Sequence, residues 1–123
     1  MKREIKFRAW TGVNMKSNEE LRSIGGFALI EGLSGKDLFV LPFPKYEIMQ
    51  YIGLKDRNGV EIYEADIIKC KFNSEEAVGF IEYYDDRFVC NWITKTNFND
   101  SLRARIDYIK VIGNIYENKE LLK

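Results

Sequence analysis

Apolar and polar residues alternate with a period of two through most of this chain. In Arg3-Glu4-Ile5-Lys6-Phe7-Arg8-Ala9-Trp10, residues Ile5, Phe7 and Ala9 fall on one face and Lys6, Arg8 and Trp10 on the other. That is the signature of a half-buried strand. Thr11 to Asn14 reads as a turn. Ser17-Asn18-Glu19-Glu20 has the form of a capping box, in which a Ser oxygen and a Glu three residues later satisfy each other's exposed backbone amides. A short helix is expected to follow to about Ile24, stopped by Gly25-Gly26. Phe27 to Glu31 and Leu38 to Leu41 read as two more strands, separated by a spacer rich in turn formers. Pro42 and Pro44 then break regular structure and mark the seam of the chain.

Beyond the seam the alternation is denser. Tyr46 to Leu54, Val60 to Tyr63, Asp66 to Phe72, Val78 to Tyr84, Arg87 to Ile93 and Asp107 to Tyr116 all read as strands. Asp56-Arg57-Asn58-Gly59 fits a type I turn with a left-handed glycine, and Asp85-Asp86 a hairpin turn. Asn73 to Glu76 reads as a polar loop, Thr94 to Arg103 has no period, and Asn118 to Leu122 suits one helical turn. Short strands punctuated by turn signals at roughly 8–12-residue spacing predict a small antiparallel barrel or sandwich. The expected fold is mainly β, with an N-terminal β-rich lobe over 1–48 and a barrel over 49–123. No βαβ pattern suggests a nucleotide-binding parallel sheet.

Composition narrows the function classes. A chain of 123 residues with 46% hydrophobic residues has ample core for one domain of two lobes. It contains no histidine, which removes the commonest general base near neutral pH and the commonest transition-metal ligand. Its two cysteines, Cys70 and Cys90, alternate in phase with core positions and read as small apolar residues. Neither a cofactor nor a metal is expected, and no catalytic residue is assigned. The basic start leads into alternation and not into an apolar run, so it does not read as a signal peptide, and no apolar stretch is long enough for a membrane helix. The expected location is the cytoplasm, with no membrane partner.

Three blocks, "REIKFRAW" (residues 3–10), "MQYIGLKDRNGVEIYEADII" (49–68) and "VIGNIYEN" (111–118), occur here in that order. Together they resemble the YopX family of phage and prophage proteins of Gram-positive bacteria and their viruses. The resemblance implies a protein carried by a phage or prophage in a bacterial host, with no assigned biochemical activity and no recognised catalytic motif. It also implies a C-terminal part similar to small SH3-like β-barrels. One position departs from the family's pattern. Where the family usually has Glu-Gly-Asp, this chain has Glu64-Ala65-Asp66. If Ala65 takes the left-handed conformation that glycine favours, it costs about 1 kcal/mol.

Five sets of residues are candidates for a site. Asp56, Glu61, Glu64 and Asp66 crowd one stretch, but glycine comes at the fourth place instead of the sixth, and Ile67 stands where a calcium loop needs its closing Glu. Turn chemistry is the better reading, with Asp56, Gly59 and Asp66 as structural turn residues. The carboxylate pairs Glu19-Glu20, Glu75-Glu76 and Asp85-Asp86 sit in predicted loops or at a helix start, where carboxylates stay solvated. Lys6, Arg8 and Trp10 place two cations beside a flat ring, the combination that single-stranded nucleic acid binding uses. Lys95, Arg103 and Arg105 with Phe98 form a looser second set. The chain is neutral overall, with 19 basic and 19 acidic residues, so long-range attraction to a polyanion is weak. Finally, seven Tyr, eight Phe and two Trp are many for this length, and Tyr83, Tyr84 and Trp92 on one hairpin suit an interface. The reading is therefore a non-catalytic module that binds a phage or host protein or forms a homo-oligomer, with nucleic-acid binding as the alternative.

Overall fold

The computed structural model describes residues 4–23, 46–72, 74–93 and 102–122. The strands expected over 27–31 and 38–41, the seam at Pro42 and Pro44, and Lys95 and Phe98 lie outside the described residues. The chain is mainly β, every strand pairing among the described residues is antiparallel, and two compact units can be described, one over Glu4–Gln50 and one over Tyr51–Lys123.

In the first unit, β1 (Phe7–Trp10) pairs with β2 (Met15–Lys16) across the Thr11–Asn14 turn, and on its other side with the start of β3 (Glu47–Lys55). The Thr11 hydroxyl accepts hydrogen bonds from the Val13 and Asn14 N–H groups, which closes that turn. The strand is shorter than the alternation suggests. Its pairing with β3 begins only at Phe7↔Gln50, and the Phe7 N–H donates to the Asn18 side chain. Helix α1 (Asn18–Ser23) opens with the expected capping box. The Glu20 N–H donates to Ser17 Oγ at 3.2 Å, and the Ser17 N–H donates to Glu20 Oε1 at 3.1 Å. Among the described residues of this unit, Ala9, Leu21 and Met49 are the buried apolar ones.

In the second unit, the later part of β3 pairs with β4 (Glu61–Tyr63), with Tyr51 facing Tyr63 at a ring separation of 5.6 Å. A four-stranded sheet follows in the order β7-β6-β5-β8, built from β5 (Asp66–Phe72), β6 (Glu75–Tyr84), β7 (Arg87–Trp92) and β8 (Ile109–Asn114). Its core comprises Ile62, Ile68, Cys70, Ala77, Ile81 and Ile109, with Ile52, Leu54, Phe88 and Trp92 packed against it. Burying an aliphatic side chain of this size contributes about 1.5–3 kcal/mol, so this cluster dominates the unit's stability.

Two expectations change here. Glu75 and Glu76 belong to β6 and not to a loop, because Phe72↔Glu75 and Lys71↔Glu76 continue the ladder to the hairpin end, with Ser74 left-handed (φ 66°) in the turn. The last strand begins at Ile109, since Arg103–Tyr108 forms a 3-10 helix. Leu102 and Ile106 lie four apart and both pack on the core, a spacing that suits a coiled segment better than an extended one. Lys119–Leu122 is a second 3-10 turn, in the place where one helical turn is expected.

Candidate functional site

The acidic stretch is a clamp. Asp56 is buried, with 6% exposure, and both its oxygens accept backbone hydrogen bonds. Oδ1 accepts from the N–H groups of Asn58 (2.8 Å) and Val60 (2.9 Å), and Oδ2 from that of Val111 (2.9 Å). The turn closes through the Gly59 N–H donating to the Asp56 carbonyl, with Gly59 at φ 82°, a conformation that favours glycine. The Arg57 N–H donates to the Ile109 carbonyl, so the turn is fastened to β8 at two points. Burial alone would raise the Asp56 pKa. The hydrogen bonds from Val111, Val60 and Asn58, with the Arg57 charge, outweigh burial and hold it below its ordinary value. Asp66 is also buried and its Oδ2 accepts from the Tyr63 N–H at 2.8 Å. Asp56 and Asp66 thus serve as acceptors for backbone N–H groups. Among the described residues, no three His, Cys, Asp or Glu side chains gather as metal ligands.

Ala65 does adopt the left-handed conformation, at φ 73°. Its N–H donates to the Ile81 carbonyl and its carbonyl accepts from the Ile115 N–H, so two backbone bonds hold it there. In the block at 111–118, Asn114 Oδ1 accepts from the Tyr116 and Glu117 N–H groups, and Asn118 Oδ1 from the Asn114 N–H. The middle and last sequence blocks are therefore joined through Asp56–Val111 and Ala65–Ile115.

Both thiols are free. Cys70 is fully buried in the core and Cys90 is half-buried against it. Burial pushes both thiols up from their ordinary pKa, which leaves the nucleophilic thiolate scarce at neutral pH.

The proposed nucleic-acid face has a mixed setting. Lys6 is ion-paired with Glu4 at 2.6 Å, just before β1. Arg8 and Trp10 are half-buried on β1, where Arg8 stands opposite buried Met49 and Trp10 opposite Glu47. Glu4 and Glu47 offset the positive charge on this face. In the looser second set, Arg103 is exposed and Arg105 half-buried on the 3-10 helix.

The aromatic hairpin divides in two. Tyr83 and Tyr84 lie at its tip, 56% and 67% exposed. The Tyr83 ring meets Phe88 edge-on across the strands at 5.2 Å. Trp92 stands opposite Gly79 at the far end of the ladder and packs on the core. Tyr83 and Tyr84 form a surface feature, while Trp92 is part of the wall.

A further feature escapes the sequence reading. A cleft of about 220 Å³ opens on the second unit, lined by Arg57, Lys69, Lys71, Lys110, Glu76 and Tyr108. The alternation of Lys69 and Lys71 along β5 hints at a basic face. Arg57 and Lys110 reach it only through the pairing of β5 with β8 and the fastening of the Asp56 turn.

A search of the curated proteins returned no match. The family model described as YopX protein matches residues 6–123. Among solved structures, the chain is similar to protein EF1440 from Enterococcus faecalis, with a TM-score of 0.62 and 29% identity over 99% of this chain and 100% of that one. Among the described residues, no helix is long and apolar enough to cross a membrane.

Proposed function

Because the chain belongs to the YopX family over residues 6–123, we propose that it is a non-catalytic interaction protein of a phage or prophage, working in the cytoplasm of a bacterial host and associating with a second copy of itself. In this reading the Tyr51–Lys123 unit is an SH3-like barrel used as a scaffold. The exposure of Tyr83 and Tyr84 carries the proposal, since two adjacent tyrosines at a hairpin tip suit the apolar centre of an interface. They lie beside β7, the end strand of its sheet among the described residues, whose outer edge suits pairing with another copy. A non-catalytic role is supported by the use of Asp56 and Asp66 as backbone acceptors. Sedimentation velocity across a wide concentration range tests the proposal. The native chain is expected to form a dimer that Tyr83→Ser with Tyr84→Ser dissociates, and a strict monomer at high concentration overturns it. The basic cleft favours a second reading, nucleic-acid binding.

A further inference from the structure

Lys69 on β5 and Lys110 on β8 are directly opposed partners in the antiparallel ladder, and so share one face of the sheet. Lys71 follows two residues on, about 6.6 Å along the same face. Like charges placed directly opposite each other destabilise a sheet. Only one carboxylate, Glu76, lines this cleft, and it lies 3.5 Å from Lys69. Lys71 is paired in register with Glu76, but among the described residues neither Lys71 nor Lys110 enters a salt bridge. Arg57 adds a fourth cation from a turn whose backbone is held by Asp56 and Ile109. Tyr108, 42% exposed, supplies an aromatic ring at the rim. A natural sheet that opposes two lysines breaks a local rule, and such violations concentrate where a protein has a use for them.

The arrangement selects a ligand class. At about 220 Å³ the cleft is smaller than the usual small-molecule pocket of roughly 300–1,000 Å³. Its cations run along a strand and across to its neighbour instead of converging on one point. A row of cations suits a repeating anion, and an exposed ring beside it suits a flat base. We propose that the cleft formed by Arg57, Lys69, Lys71, Lys110 and Tyr108 binds a single strand of nucleic acid, its phosphates against the lysines and a base against Tyr108. This goes beyond self-association and does not depend on it. It rests on the nucleic-acid reading but moves the site from Lys6, Arg8 and Trp10 to the second unit.

Fluorescence anisotropy with a short labelled oligothymidylate, and its RNA counterpart, tests the site on the full chain. Binding is expected at low salt and should weaken with rising salt, at a log–log slope of about −2 to −3 for three or four phosphates. Lys71→Ala with Lys110→Ala should reduce that slope by about 1.4. Tyr108→Leu should weaken binding by about tenfold, whereas Tyr108→Phe keeps the stacking ring and the affinity. A second readout separates the site from a folding role: Lys110→Glu, which turns the opposed pair with Lys69 into an attractive one, should raise Tm while abolishing binding. Lys6→Ala with Arg8→Ala should leave the affinity unchanged. The proposal is overturned by no salt-dependent binding, by binding indifferent to the Lys71 and Lys110 changes, by binding lost only with Lys6 and Arg8, or by equal affinity for a mononucleotide. The oligomeric state of the Lys71 and Lys110 variant, followed in parallel, distinguishes failure here from failure of the self-association reading.

Discussion

Asp56 Oδ2 accepts the Val111 N–H at 2.9 Å across 55 residues of sequence. Through this bond a side chain in the DRNG turn holds the last strand of the sheet. The same carboxylate also holds its own turn, so one residue couples local and long-range structure.

Removing that carboxylate should be costly. Asp56→Ala leaves three backbone donors without their acceptor, and a loss of about 3–4 kcal/mol is expected from charge-assisted bonds of this kind. Asp56→Asn keeps one acceptor oxygen and should lose about half as much. Urea midpoints at neutral pH measure both, and an Asp56→Ala protein as stable as the native chain would refute the clamp.

The same site gives a pH dependence of defined sign. The folded pKa of Asp56 lies below its ordinary value of 3.8. Its contribution is therefore complete above the unfolded value and disappears as pH falls through the lower, folded value. The stability gap between native and Asp56→Asn protein should stay constant from neutral pH down to about pH 5 and narrow below about pH 4. Denaturant titrations at several acidic pH values show this, and a gap unchanged at the acid end counts against it. The Glu20 carboxylate, lowered first by the Ser17 N–H, should lose its capping role in the same direction.

Ala65 sits where glycine is conformationally cheaper. Ala65→Gly relieves about 1 kcal/mol of left-handed strain but gives up a buried methyl worth about 0.8 kcal/mol. Stability should be equal or slightly higher. Ala65→Val adds a β-branch at φ 73° in a buried position, and a loss of at least about 2 kcal/mol is expected. Thermal melts of the two variants should move apart, and a clear loss in Ala65→Gly would show that the strain is absent.

Gly79 is required for a close approach. A Cβ there would lie 2.6 Å from the Asn91 carbonyl oxygen, 2.6 Å from Cys90 Sγ and 2.9 Å from Trp92 Cα. Gly79→Ala should therefore lose about 2–3 kcal/mol. Cys90→Ala removes only the sulfur contact and should rescue less than half of that loss. Full rescue in a double-mutant cycle would place the clash at the thiol and not at the β7 backbone.

Much of the architecture was legible in the chain because its signals are local. Alternation marked β3 to β7, since side-chain direction in a strand has a fixed period. Ser17 and Glu20 announced α1, and Asp56 to Gly59 announced a turn, because those groups bond within a few residues. Where local pattern and tertiary packing compete, packing decides. Arg103–Tyr108 coils because Leu102 and Ile106 both need the core, and Glu75 and Glu76 extend because the ladder with β5 continues.

The amino-acid sequence by itself determined the strand-rich character, the family and the local turns. Tertiary structure alone decided that Asp56 reaches Val111, that Ala65 is held left-handed between Ile81 and Ile115, that Trp92 belongs to the core while Tyr83 and Tyr84 do not, and that Lys110 stands against Lys69. The reason is physical. Periodicity and turn chemistry act over a few residues, whereas register between distant strands is chosen by burial of the whole core, and only register says which charges meet.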